Sequence, residues 1–189
     1  MNRRLTHTGL AFVLGLAALG LAALGLAACD TAETTRADAE RIVGTWEGES
    51  VSARTTVGVS LPILDLSASG DVTRFTFGAD GSYAFLFDPA DGRALTIPQT
   101  NVSIPLDQTV SFSGTYSLDD AAHTLTLSAG SLPANVTLGY AFSGDDALSV
   151  LAEDPETLLL LVGAATDDAT IQLLASVVTG GSIRYARSN

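Results

Sequence analysis

On both arms of the turn Gly78-Ala79-Asp80-Gly81, every second residue out to Phe75 and Phe87 is a large ring, and this pattern dictates a β-hairpin whose register can be worked out on paper. A two-residue turn would pair Phe77 with Ala84 and send the two aromatic sets to opposite faces, because successive strand side chains alternate. A three-residue loop, with Gly81 left-handed after a type I turn, pairs Phe77 with Tyr83 and Phe75 with Phe85 instead. Phe75, Phe77, Tyr83, Phe85 and Phe87 then share one face, and burying that face drives the fold. The second register is the one expected.

The same logic extends along the chain. From Ile42 onward the pattern is period two, interrupted by Gly, Asp, Ser and Pro. Phe112, Gly114, Tyr116 and Leu118 alternate with serine and threonine. A four-residue loop at Asp119–Ala122 would set Tyr116 opposite Leu125 and Gly114 opposite Leu127. A loop Gly144-Asp145-Asp146 would set Phe142 opposite Leu148 and Tyr140 opposite Val150. Prolines within Leu61-Pro62-Ile63-Leu64 and Ile104-Pro105-Leu106 confine those stretches to edges or insertions. The period then changes: Ile171, Leu174, Ala175 and Val178 fall at helical spacing, with Asp167 or Asp168 as N-cap and Gly180-Gly181 as the stop. One amphipathic helix laid on the outside of the sheet is expected there, followed by a short strand at Ser182–Ala186. Thr157–Val162 is apolar throughout and reads equally as a buried strand or the start of a helix. The fold class is all-β, an antiparallel up-and-down barrel or a sandwich closed by this C-terminal helix and strand.

The chain begins quite differently. Arg3 and Arg4 precede an apolar run from Leu10 that ends at Leu26-Ala27-Ala28-Cys29. A basic head, an apolar middle and small residues before a break are the three parts of an export signal. The run is also close to the length of a membrane-spanning helix, which is the rival reading. Leu-Ala-Ala-Cys resembles the lipobox of bacterial lipoproteins at all four positions. That resemblance implies cleavage before Cys29, acylation of its thiol, and anchoring in the bacterial cell envelope with the domain outside the cytoplasm, the outer membrane being the expected site. It divides the chain into a signal peptide (1–28), a polar flexible tether (29–40) and a β-barrel domain (41–189).

Composition narrows the chemistry. Cys29 is the one cysteine, so no disulfide and no thiolate metal site can form within a chain. There are 9 Arg and no Lys against 21 acids, a net charge of −12, which repels phosphate backbones and rules against nucleic acid as a partner. The acidic pairs Asp119-Asp120, Asp145-Asp146 and Asp167-Asp168 lack a Ca²⁺-loop spacing and read as turn and capping residues. His123 is the only histidine outside the leader region and sits by a turn, so no nucleophilic triad and no histidine-rich metal site can be assembled, and no cofactor is expected. A two-carboxylate hydrolase stays open, although no acidic pair has the apolar surroundings that would raise one pKa. A non-enzymatic protein is expected.

Ile42-Val43-Gly44-Thr45-Trp46, then Phe75–Tyr83, Ser113-Gly114-Thr115-Tyr116 and Leu125-Thr126-Leu127, resemble the bacterial lipocalin-like domain. The Gly44-Thr45-Trp46 triplet is similar to the Gly-x-Trp of lipocalins, and the resemblance implies that Trp46 closes one end of a barrel. Thr-Asp-Tyr, common in lipocalins, does not occur here. Arg184 and Arg187 are both open as the arginine that such barrels stack on the Trp. In such a barrel Phe75, Phe77, Tyr83, Phe85, Phe87, Phe112, Tyr116, Tyr140 and Phe142 point inward. They either line a cavity for an apolar small molecule or fill the barrel as core. The first implies a carrier; the second implies an interaction or structural module, such as an inhibitor or envelope-assembly factor, whose protein partner is unspecified.

Overall fold

The computed structural model describes residues 36–67, 70–97, 102–129, 134–162 and 168–188. The expected signal peptide, Cys29 and most of the expected tether lie outside these residues, as does Asp167. Among the described residues, a short helix α1 (Asp38–Ile42) leads into a long strand β1 (Gly44–Thr55). Then follow β2 (Ser60–Asp65), β3 (Val72–Phe77), β4 (Ser82–Asp88), β5 (Arg93–Ile97), β6 (Val102–Leu106), β7 (Val110–Asp119), β8 (Thr124–Ser128), β9 (Val136–Phe142) and β10 (Ala147–Ala152). Helices α2 (Pro155–Leu161) and α3 (Asp168–Ala175) connect to the last strand, β11 (Val178–Arg187).

Eight of these strands form a closed antiparallel barrel in the order β11-β10-β9-β8-β7-β4-β3-β1, and β1 pairs back onto β11. Closure removes the open edges that a flat sheet would present. β1 serves two neighbours on one side: Gly44–Glu47 pair with β3, and Ser50–Arg54 pair with β2. A register shift between Gly48 and Ser50 marks the changeover. β5 and β6 form a separate hairpin inserted between β4 and β7. Pro62 therefore lies on the outermost strand beside β1, and Pro105 in a two-stranded insertion, the settings that tolerate a missing ladder donor.

The first hairpin has the expected register, Phe77 opposite Tyr83 and Phe75 opposite Phe85, with Gly81 at φ +80°. The third also does, Phe142 opposite Leu148 and Tyr140 opposite Val150. The second is displaced by two residues: Tyr116 faces Leu127 and Leu118 faces Leu125. The cause is local. The Asp119 carboxylate accepts the amides of Ala121 and Ala122 (3.0 Å each), which holds Asp119 as the last strand residue. His123, not a glycine, takes the left-handed seat at φ +51°. A shift of two leaves every side chain on its expected face.

The C-terminal region departs further. Thr157–Leu161 is helical, and two helices stand where one was expected. Asp154 caps α2, accepting from the Thr157 amide at 2.7 Å and its hydroxyl at 2.8 Å. α3 ends at Ala175, and Gly180-Gly181 lie inside β11, which runs ten residues rather than five. Gly181 is there for space. It faces inward with its neighbours Ala53 and Ala152, and a Cβ on it would sit 2.7 Å from a Leu158 methyl. Leu158, Leu159, Leu161 and Val162 are buried, and α2 packs across this row of small residues at the barrel's rim.

Candidate functional site

The strand directions put α1 and the β3–β4, β7–β8 and β9–β10 turns at one end of the barrel, here called the base. Its closure is built on Trp46, which is fully buried and donates its indole N–H to the Ile42 carbonyl at 2.7 Å. The Arg187 guanidinium lies 4.3 Å from the Trp46 ring centre, so the ring's negative face meets a cation. Arg187 also donates to the carbonyls of Val43 (2.9 Å), Asp145 (3.0 Å) and Arg41, tying α1 and the β9–β10 turn to β11. Of the two arginines open at the sequence level, Arg187 stacks on Trp46; Arg184 is outside, paired with Glu49 at 2.9 Å. A second arginine repeats the device: Arg41 lies 4.3 Å over Phe142 and pairs with Asp38 and Asp145. Residues 38–40, read from sequence as tether, are thus helical and fastened to the barrel.

Between these arginines the Tyr140 hydroxyl lies 3.0 Å from Asp38 Oδ2 and 3.0 Å from Asp120 Oδ1. Its one proton serves one carboxylate at a time. Burial, and then the two carboxylates, raise its pKa. His123 packs edge-on to the Tyr140 ring and is itself exposed. These contacts join the base turns to α1.

Of the nine ring residues singled out from the sequence, all but Phe87 make a contact with another aromatic ring, and Phe87 is fully buried. Phase by phase, Phe75 is the hub, 4.7 Å from Phe85, 5.1 Å from Phe77 and 5.5 Å from Tyr185, ring centre to ring centre. Phe85 stacks on Phe112 at 4.6 Å, Phe77 meets Tyr116 edge-on at 5.0 Å, and Phe142 joins Tyr140 to Trp46. Phe75, Phe77, Tyr83, Phe85, Phe87, Phe112 and Tyr140 are buried, while Tyr116 and Phe142 are half-buried at the base. The sequence reading missed Tyr185, the fully buried ring beside Phe75; its alternation with Ile183 and Arg187 was the available signal. The hydroxyls of Tyr83 and Tyr185 have no hydrogen-bond partner, and burial raises both pKa values.

One cavity of about 330 Å³ opens through the wall where β1 leaves β3 for β2. Gly48, Leu66 and Thr73 line it together with Glu47, Glu49, Ser67, Asp71, Val72, Arg74 and Ala186. Among the described residues no group of three or more His, Cys, Asp or Glu could hold a metal ion, and no helix is long and apolar enough to cross a membrane. No family model matches the chain, and a search of the curated proteins finds no match either.

Proposed function

We propose that this is a lipid-anchored protein of the bacterial envelope whose lipocalin-like barrel is a solid, non-enzymatic interaction or structural module. The observation that carries this reading is the filling of the barrel. Its inward rings touch one another, Trp46 and Arg187 close the base, and α2 packs on the Ala53–Gly181–Ala152 row at the other end. Arg187 over Trp46 supports the lipocalin-like resemblance, and Leu26-Ala27-Ala28-Cys29 supports the anchor.

A carrier of an apolar small molecule is the second reading, and one observation favours it. Two phenolic hydroxyls, on Tyr83 and Tyr185, are buried among rings without partners, a situation that costs about 1–3 kcal/mol per group unless something bonds to them. Mass spectrometry of the protein purified from membranes of its own host tests both levels. The expected intact mass is that of residues 29–189 carrying acyl chains on Cys29, and the expected native mass shows no further bound molecule. A retained apolar molecule released on unfolding would install the carrier reading instead. A chain still carrying residues 1–28 would remove the anchor.

A further inference from the structure

We infer that the β5–β6 hairpin is a strap across the rim, the barrel end opposite α1, which opens as one unit while the barrel stays closed. The ion pair between Arg93 and Asp71 is its latch. The inference is independent of whether the barrel interior is solid, because it concerns an insertion outside the barrel's ladders.

Three observations carry it. The first is topology. β4 ends at Asp88 and β7 starts at Val110, both at the rim, and the hairpin is the insertion between them. Among the described residues its strands pair with each other and with no barrel strand. Releasing it breaks no ladder of the barrel, whereas releasing any barrel strand breaks two. The second is what it covers. Leu95 and Ile97 on β5 share one face with Ile104 and Leu106 on β6, each at most 3 % exposed and packed into the same core as the barrel's rings. A two-stranded hairpin is marginal by itself, so this burial is what returns it to the rim. The third is the latch. Arg93 donates to Asp71 Oδ2 through Nε (3.0 Å) and Nη2 (2.9 Å), and Nη2 also donates to the Asp65 carbonyl at 2.9 Å. The Ala90 amide donates to Asp71 Oδ1 at 2.8 Å. The Asp71 side chain has no exposed surface, and a buried carboxylate stripped of its cation is strongly disfavoured until water reaches it. Partial fraying is therefore resisted, and the foot of β5 leaves in one step. Gly92 beside it, at φ +74° with no atom within 4 Å of where a Cβ would stand, is the hinge. At the other foot the exposed Thr109 hydroxyl donates to Asp88 Oδ1 at 2.6 Å.

Hydrogen exchange on the purified full-length protein, read amide by amide by NMR, is the test. The protected amides of β5 and β6 are expected to exchange through one shared opening, at least about tenfold more often than those of β3 and β4. Arg93→Met is expected to speed the hairpin amides by about a further tenfold, the loss of one charge-assisted hydrogen bond, and to leave β3 and β4 unchanged. Thr109→Val, a milder variant that keeps the latch, is expected to speed the same amides a few-fold. Arg74→Met, which breaks the exposed Glu47–Arg74 pair on the barrel, is expected to leave them unchanged. Wild-type hairpin amides that exchange only at the rate of β3 and β4 would overturn the proposal, and this comparison stands even where Arg93→Met fails to fold. Equal acceleration of hairpin and barrel amides by Arg93→Met, or none, would overturn the latch, as would an Arg74→Met effect of the same size.

Discussion

At the scale of single residues, the base is held by side chains that each make several contacts. Arg187 is the clearest: one guanidinium faces Trp46 and donates to carbonyls of α1, the segment after it and the β9–β10 turn. Arg187→Met keeps much of the volume but leaves the half-buried carbonyls of Arg41 and Val43 without this donor. The expected loss is about 2 kcal/mol. Trp46 is the only tryptophan, so its fluorescence reports the change directly: a red-shifted emission and a lower urea midpoint are expected, whereas unchanged emission and midpoint would mean the base is held by other contacts. The sequence could name Arg187 only as one of two options, because neither alternation nor charge distinguishes which arginine turns inward. Asp38 and Asp120 were unreadable as partners for a more basic reason. They lie far apart in the chain and meet only because Tyr140 is long enough to reach past the inner layer to both.

Elements are governed by turn chemistry and by close approach. Gly81 and Gly144, both at positive φ, fixed two hairpins that could be registered from sequence. Where a histidine fills the same conformational role, the register slipped on paper by two residues, since nothing in a single sequence marks His123 as left-handed. Gly180-Gly181 misled for a related reason: glycine ends helices, but it also admits a neighbouring side chain, and here Leu158 occupies the space. Gly114 on β7 is a sharper case. A Cβ there would stand 1.9 Å from the Ser128 carbonyl oxygen and 2.9 Å from Ala129 Cα, both backbone atoms. Gly114→Ala is therefore expected to cost about 3 kcal/mol, the upper end for overpacking, and to disturb the amides of Thr115–Asp119 and Thr124–Ser128 in NMR spectra before any others. Asp154→Ala, which removes the cap of α2, is expected to cost about 1 kcal/mol in a thermal or urea unfolding curve. An unaltered curve would mean that burial of Leu158, Leu159 and Leu161 alone holds that helix.

For the whole molecule, the shared property is a set of phenols kept neutral. All four tyrosines, Tyr83, Tyr116, Tyr140 and Tyr185, have raised pKa values, with burial the largest cause in each. In the unfolded chain these groups ionise near pH 10. The folded state binds their protons more tightly, so the stability they confer is complete below about pH 10 and is lost as pH rises through the higher folded-state range. Phenol ionisation, followed by ultraviolet absorbance, is accordingly expected to begin above pH 10 and to coincide with the collapse of the near-ultraviolet circular dichroism. Reversible titration near pH 10 with the dichroism intact would contradict a buried aromatic interior. This layer of rings was the most legible part of the fold, because alternation in Phe75–Phe87 leaves one workable face. The closure of the barrel was less so: it joins Trp46 to Arg187 and Val51 to Ile183, contacts with no local signature.

That closure sets the order in which the protein can come into being. Of the eight barrel strands the one that seals β1 is made last, so a chain emerging N-terminus first from a ribosome carries β1 with an unsatisfied edge until residue 187 is free. Vectorial synthesis cannot finish this fold piecemeal. Residues through 187 have to be free before the first and last strands of the barrel can meet, and any factor that shields nascent chains must act over that whole interval.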